Sequence, residues 1–264
     1  MSKLFLGLDA GSTASKCVAV NDEGTMVANA IHPSGAGTLG PGKVVDEVLT
    51  QLGTTREGLF ASCATGYGRK LQDWCTYQVS ELTCHAKGSF ALFGEVATVI
   101  DIGGQDAKVL TIGPGGALEN FVMNDKCAAG TGRFLDVMAS IFGCEVSELS
   151  ALDEQSSAVA HISSTCTVFA ESEVISKLAA GTPIPNIAAG VHVSVVERTC
   201  GLVRRAGLRQ PVAMTGGVAL NNSLRRHLEE ALNCSIQASP LSQLNGALGA
   251  ALIARERSLK GLGQ

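Results

Sequence analysis

One pattern occurs twice in this chain, and it limits what the chain can fold into. An apolar run ends in Asp-x-Gly, a polar turn follows, then a lysine and a second apolar run. Asp9-Ala10-Gly11 leads to Lys16, and Asp101-Ile102-Gly103 leads to Lys108, 92 positions later, with both spans eight residues long. Strand, tight polar turn and returning strand read as a β-hairpin. The spacing predicts strands at Lys3–Leu8 and Cys17–Asn21, and again at Ala97–Ile100 and Val109–Ile112. A second pair of elements follows the first. Phe60–Thr65 runs into Thr65-Gly66-Tyr67-Gly68, and Val212–Thr215 runs into Thr215-Gly216-Gly217-Val218. Two elements repeating in the same order identify an internal duplication.

The helices of the second half follow from apolar periodicity. Phe134, Met138, Ile141 and Phe142 share one face after Cys127, and Leu224, Leu228 and Leu232 do so after the capping run Asn221-Asn222-Ser223. A small-residue helix is expected at Ala247–Arg257, packing back on the first half. Glycine is abundant, 31 of 264 residues, and aromatics are only 4%. That balance suits many tight backbone turns, as phosphate-binding loops require. The net charge of −4, with few aromatics, excludes a nucleic-acid footprint. Residues 197–264 carry nine basic and four acidic side chains, read as solvated helix faces. The N-terminal run carries Asp9 where a leader would be apolar. The longest charge-free stretches, Leu178–Val196 and Ala231–Ala254, are interrupted by Pro, Gly and Asn. The chain is therefore expected to be cytoplasmic, with no membrane span.

The duplicated turns are the first candidate site. Phosphate oxygens need inward-pointing backbone N–H groups, which Gly11, Gly103 and Gly104 permit, and side-chain donors, which Ser12, Thr13, Ser15 and Gln105 supply. A carboxylate at each strand end, Asp9 and Asp101, can hold hydrated magnesium beside the phosphates. One Asp-Gly turn is routine in any hairpin; two with matched spans favour a function. Thr215-Gly216-Gly217-Val-Ala-Leu-Asn221 suits an adenosine-contact loop, its glycines admitting a flat ring close to the backbone. Two textual matches are expected to be decoys. Gly35-Ala-Gly37-Thr-Leu-Gly40 fits a dinucleotide fingerprint, but no strand runs straight into it and no clear helix starts on its third glycine. Gly37 to Gly42-Lys43 fits most of a P-loop, but Val44 replaces the hydroxyl that should reach magnesium.

Nine cysteines, at 17, 63, 75, 84, 127, 144, 166, 200 and 234, include no C-x-x-C pair, which excludes zinc-ribbon and ferredoxin spacings. In a reducing compartment they stay thiols. Cys127 and Cys166 each precede a predicted helix, whose N-terminus stabilises a thiolate. Two per chain cannot fill four positions of a cubane cluster, whereas a symmetric dimer would supply four. Read from the residues alone, buried thiols remain the simpler interpretation for these two, and Cys17, Cys63, Cys75, Cys144, Cys200 and Cys234, in apolar or unpatterned contexts, read as core or surface thiols. Cys84-His85, without partners in the sequence, also reads as structural.

Several motifs together carry a resemblance: Leu8–Lys16, Ala64-Thr-Gly-Tyr-Gly-Arg69, Asp101–Lys108, Asn124-Asp-Lys-Cys-Ala-Ala-Gly-Thr-Gly-Arg-Phe-Leu-Asp136, Ser163-Ser-Thr-Cys-Thr-Val-Phe-Ala-Glu-Ser-Glu173, Met214-Thr-Gly-Gly217 and Asn245-Gly-Ala-Leu-Gly-Ala250. The chain resembles, over essentially its whole length, the activators of 2-hydroxyacyl-CoA dehydratases, to whose wider family the ATPase subunits of benzoyl-CoA reductases belong. The resemblance implies an α/β fold of the acetate/sugar-kinase and actin type (ribonuclease H-like), duplicated, with ATP in an interdomain cleft. The domains expected are 1–94 plus 245–264, and 95–244. It implies an oxygen-sensitive homodimer bridged by one 4Fe-4S cluster on Cys127 and Cys166, loaded by reduced ferredoxin or flavodoxin. The electron would pass to a partner iron–sulfur dehydratase or reductase, driven by ATP hydrolysis. Asp9, Asp101 and Gln105 are then the expected catalytic residues. Gly11, Ser12, Thr13, Ser15, Lys16, Gly103, Gly104, Gln105, Gly130, Thr131, Gly132, Gly216, Gly217 and Asn221 are expected to contact ATP or ADP and magnesium. Two rivals stand beside this reading: a small-molecule kinase of the same fold, for which no general base is evident, and a non-redox, chaperone-like ATPase.

Overall fold

The computed structural model describes residues 3–163 and 166–261. In chain order its main elements are β1 (Phe5–Ala10), β2 (Ser15–Val20), β3 (Met26–His32), α1 (Gly40–Leu52), β4 (Ala61–Thr65), β5 (Tyr77–Gln78) and α2 (Glu81–Phe93). Then come β6 (Thr98–Ile102), β7 (Ala107–Ile112), β8 (Leu118–Asn124), α3 (Gly132–Phe142), α4 (Leu149–Glu154), α5 (Thr167–Ala179) and α6 (Ile184–Ala206). The chain closes with β9 (Val212–Thr215), α7 (Asn222–Leu232), β10 (Ile236–Gln237) and α8 (Asn245–Lys260). It divides into two compact units: residues 1–96, 112–119 and 241–264, and residues 97–111 and 120–240.

Each unit holds a five-stranded sheet, ordered β3-β2-β1-β4-β5 in the first and β10-β9-β6-β7-β8 in the second. Reversing the second list gives β8-β7-β6-β9-β10, the same order as the first. In both, the Asp-bearing strand lies central, antiparallel to its hairpin partner and parallel to the strand that ends in Thr-Gly. The duplication legible in two hairpins therefore extends to the whole sheet.

Period-2 alternation splits the first sheet between two cores. Leu6, Leu8, Cys17, Ala19, Ala28 and Ala30 face α1 through Val44, Val45, Val48 and Leu49. Phe5, Val18, Val20, Ala61 and Cys63 face the other way, onto Ala247, Leu248, Ala250, Ala251 and Ile253 of α8. The small-residue composition of Asn245–Ala250 has a steric cause. A Cβ added at Gly249 would lie 1.8 Å from the Cys84 carbonyl oxygen, and one at Gly88 would lie 2.1 Å from the Asn245 carbonyl oxygen. The two helices cross backbone to backbone. The second unit has one large core, in which Ile100, Ile102 and Val109 pack with Phe134, Leu135, Met138, Ile187, Val191, Leu224 and Leu228.

One expectation needs correction. A helix does start on Gly40: α1 begins there, with Pro41 in its first turn, where a missing N–H costs nothing. Lys43 lies exposed on that helix. The charge-free stretch Leu178–Val196 is interrupted as expected: α5 ends at Ala179, and Gly181 and the N-cap Pro183 separate it from α6. Pro185 sits in the first turn of α6, and Gly190 lets the helix approach the Ala160 carbonyl, which a Cβ would meet at 1.8 Å. No helix among the described residues is long and apolar enough to cross a membrane.

Gly249→Ala should therefore destabilise the protein by about 3 kcal/mol or more, since the clash is with backbone that cannot rotate away. Gly42→Ala, a helical site with open space around the new methyl, should stabilise by about 0.5–1 kcal/mol. Chemical denaturation of the two variants checks both signs.

Candidate functional site

The strand registers place the carboxylate and lysine of each repeat directly opposite one another, Asp9 against Lys16 and Asp101 against Lys108. Lys16 Nζ lies 3.3 Å from Asp9 Oδ2. Lys108 Nζ lies 3.0 Å from Asp101 Oδ2 and 2.7 Å from Asp106 Oδ2. Asp9, Asp101 and Lys108 are buried. Thr215 at the end of β9 donates its hydroxyl to Asp101 Oδ1 at 2.7 Å. Each hairpin thus ends in a desolvated carboxylate held by a cation, a charge-assisted contact stronger than a neutral hydrogen bond.

The Thr-Gly element crosses the end of the Asp strand in each unit. Gly66 has φ +82°, and a Cβ there would lie 2.3 Å from Asp9 Oδ1. Gly216 has φ +85°, and a Cβ there would lie 2.2 Å from the Ile102 carbonyl oxygen. Left-handed backbone and close approach both select glycine.

The hairpin turns gather further elements in their own units. Ala36 N donates to the Gly11 carbonyl at 2.8 Å, so the Gly35–Gly37 segment packs on the first turn. Gly132 N and Arg133 N, at the start of α3, donate to the carbonyls of Gly103 and Gly104, both at 2.8 Å. Gly130, at φ +87°, lies against the Arg198 side chain. The structure therefore brings Gly130, Thr131 and Gly132 to the Asp101 turn. Not every candidate donor is presented outward. Thr13 and Gln105 are exposed and Ser12 is half-buried. Ser15 donates its hydroxyl to the Ser34 carbonyl at 2.8 Å, and Thr131 donates to the Ala128 carbonyl at 2.6 Å. Asn221 is the N-cap of α7, its Oδ1 accepting from Leu224 N at 2.9 Å.

The cysteines sort by exposure. Cys17, Cys63, Cys75, Cys84 and Cys200 are buried, while Cys127, Cys144, Cys166 and Cys234 are partly exposed. Burial pushes the Cys144, Cys200 and Cys234 thiols up, the direction that disfavours a thiolate ligand. Cys166 is the N-cap residue of α5, and its side chain makes no capping hydrogen bond. Cys127 is not on a first turn, since Thr131 is the N-cap of α3. The residues beside Cys166 on α5, Val168 and Phe169, are 65% and 68% exposed, an apolar surface flanking a thiol. Ser164 and Thr165, within the motif around Cys166, lie outside the described residues. Cys84 and His85 are buried in α2, where the Asn245 amide lies 3.2 Å from His85 Nδ1 and donates to Ser89 Oγ at 3.0 Å.

Sequence reading missed one cluster. Asp153, His192 and His227 come from α4, α6 and α7 and converge within the second unit. His192 Nδ1 lies 2.5 Å, and His227 Nε2 2.9 Å, from Asp153 Oδ2, while Arg226 Nη2 lies 3.2 Å from Oδ1. Burial alone would raise the Asp153 carboxyl. Hydrogen bonds from His192 and His227 outweigh it and hold the group well below the usual carboxylate range. Three residues 35 or more positions apart, or on different helices, leave no spacing signal to find. A carboxylate whose folded pKa is depressed stabilises the fold above its unfolded pKa, near 4, and loses that contribution as pH falls through the folded value. Asp153→Ala should thus cost about 3–5 kcal/mol at neutral pH, since it strands buried partners. The gap to the unsubstituted protein should narrow below about pH 4. Urea denaturation across pH 3–8 reads both effects.

With this geometry established, the likeness to known proteins is specific. Residues 6–254 match the model of the BadF/BadG/BcrA/BcrD ATPase family. The chain is 51% identical over 261 residues to the (R)-2-hydroxyglutaryl-CoA dehydratase activating ATPase of Acidaminococcus fermentans, covering 98% of this chain and 100% of that protein. It is 49% identical over 249 residues to a 2-hydroxyisocaproyl-CoA dehydratase activator of Clostridioides difficile, covering 94% of each. A solved structure of the activator of the 2-hydroxyisocaproyl-CoA dehydratase from Clostridium difficile, with bound ADPNP, superposes with a TM-score of 0.95 at 47% identity, covering 100% of this chain and 97% of that one. A ROK family glucokinase from Streptomyces griseus, at 15% identity and a TM-score of 0.57, shares the fold. Duplicated sheets, repeated carboxylate–lysine turns and this likeness agree: the chain belongs to the BadF/BadG/BcrA/BcrD ATPase family.

Proposed function

We propose that this ATPase activates a 2-hydroxyacyl-CoA dehydratase or a related reductase by delivering single electrons at low potential. The observation that carries the nucleotide half of this reading is the buried carboxylate–lysine pair repeated at the same position of both sheets. Asp9 and Asp101 are the residues that would hold hydrated magnesium, which would neutralise phosphate charge, and Gln105, exposed on its turn, would orient water at the γ-phosphate. Lys16 and the turn glycines serve the phosphates, and Gly216 and Gly217 admit the adenosine. The relatives named as dehydratase activators, and the ADPNP-bound relative, support this assignment.

The electron-carrying half rests on Cys127 and Cys166. Iron takes thiolates, both cysteines are partly exposed, and two thiols fill half of a cubane's positions, so the donor set fits a 4Fe-4S cluster completed by a second copy of the chain. When bound, such a cluster supplies one-electron chemistry. This chain's own contribution is to place Cys166 at a helix N-terminus, beside the exposed Val168 and Phe169. Reduced ferredoxin or flavodoxin is the electron source, and the protein works in the cytoplasm and is damaged by air. The functional domains proposed are 1–94 with 245–264, and 95–244; the compact units depart from this division only at 95–96, 112–119 and 241–244.

Protein purified without oxygen should contain about four irons per dimer. Cys127→Ser and Cys166→Ser should each remove the brown colour, and Cys234→Ser should keep it. An intact cluster in the Cys166→Ser protein would overturn that ligand. Asp9→Asn and Asp101→Asn should each lower magnesium-dependent ATP hydrolysis by about tenfold or more, each losing a charge that holds the ion. Lys43→Ala should leave hydrolysis within about twofold, as expected for an exposed helical lysine. Loss of ATP binding in Lys43→Ala with a normal Asp101→Asn protein would reverse the site assignment.

A further inference from the structure

The Asp153 cluster has the ligand types of a metal site, but its hydrogen bonds argue for another role. Arg226 sits 3.2 Å from one carboxylate oxygen, where its charge opposes a cation. Both imidazoles already contact the other oxygen. The far side of His192 is also engaged, because its Nε2 lies 2.9 Å from Asn221 Nδ2.

Those contacts settle the proton positions. Leu224 N–H donates to Asn221 Oδ1, which fixes the amide orientation and leaves Nδ2 as a donor. His192 Nε2 must therefore accept, so the ring proton sits on Nδ1 and is donated to Asp153. A single chain of hydrogen bonds runs from a buried carboxylate on α4, through a fully buried imidazole on α6, to the residue that ends the Thr215–Asn221 loop. That loop presents the half-buried Gly216, the exposed Gly217 and Leu220, which is 53% exposed. Both sides of the Asn221 amide are thus engaged within the protein, Nδ2 with His192 and Oδ1 with Leu224.

We propose that Asn221 does not itself bind nucleotide, and that His192 and Asp153 are positioning residues which, through Asn221, hold the Gly216–Leu220 loop in the conformation that receives the adenosine. This rests on the assignment of that loop to adenosine. The relay's hydrogen bonds reach the loop and none of the residues assigned to the phosphates, so it governs nucleotide affinity and leaves the chemical step alone. Uniform binding of ground and transition states changes KM at constant kcat.

The test uses the full-length protein and Mg-ATP. His192→Leu keeps the volume and removes both hydrogen bonds; KM for ATP should rise about five- to tenfold, the worth of one buried hydrogen bond, with kcat within about twofold. His192→Gln, whose amide can accept from Asn221 and donate to Asp153, should restore KM to within about twofold. If the Leu variant does not fold, Asn221→Ser, which keeps an N-cap hydroxyl but cannot reach His192, should show the same rise in KM. An unchanged KM in the folded variants, or an equal fall of kcat in the Leu and Gln proteins, would overturn the relay. Amide exchange of residues 216–220 with and without ADP separates the two levels. Protection by ADP together with an unchanged KM sinks the relay alone, whereas no protection sinks the loop assignment as well.

Discussion

The buried ion pair at the mouth of each hairpin is the contact around which the rest is arranged. A carboxylate taken out of water is costly unless a partner satisfies it, and the partner must sit at one fixed place. In an antiparallel ladder, the residue directly opposite is the nearest such place. Asp9 faces Lys16 and Asp101 faces Lys108 for that reason. The turn length then cannot vary, because one inserted residue would move the lysine to the other face of the sheet. The neighbouring parallel strand must next turn across the end of the Asp strand, against the Asp9 carboxylate in one unit and the Ile102 backbone in the other, which forces glycine at 66 and 216. Register, turn length and glycine placement follow from one electrostatic requirement, met once in each unit.

The same economy explains why α8 is built from alanine and glycine. It lies on the strands carrying the first ion pair and crosses α2 at backbone distance, so larger side chains have no room. Its motif reads as a functional signature, yet its residues contact strand and helix. The second unit solves its packing with larger side chains, Phe134, Met138 and Leu135, around one continuous core. There the polar cluster of Asp153, His192 and His227 links α4, α6 and α7 in place of further apolar contact. A buried network of that kind specifies one arrangement of helices, since any other leaves charges unpaired.

Family membership and site geometry bear on different parts of the function. Relatives of about half identity over nearly the full length make the ATPase assignment firm. The thiols of Cys127 and Cys166 stand apart from the buried cysteines by exposure, and by an apolar surface beside one of them. Cys144 and Cys234 are half-buried too, with thiols that burial pushes up, and Cys127 packs with them against the second unit's core.

The amino-acid sequence alone determined the duplication, the two hairpins, the strands ending in Thr-Gly and the helices after Cys127 and Asn221. All of these are local: periodicity of two or 3.6, turn chemistry and caps act over fewer than about fifteen residues. It misled at Gly40, because a breaker residue such as Pro41 in a helix's first turn looks in the text like one that ends a helix, and only the neighbouring backbone distinguishes them. Tertiary structure alone decided which hydroxyls face outward and which are consumed inside, as Ser15 and Thr131 are. It alone joined Asp153 to His192 and, through it, to Asn221. Those groups lie on three helices whose approach is set by burial of their apolar faces, and no pattern along the chain encodes a contact made between helices at right of way to their sequence order.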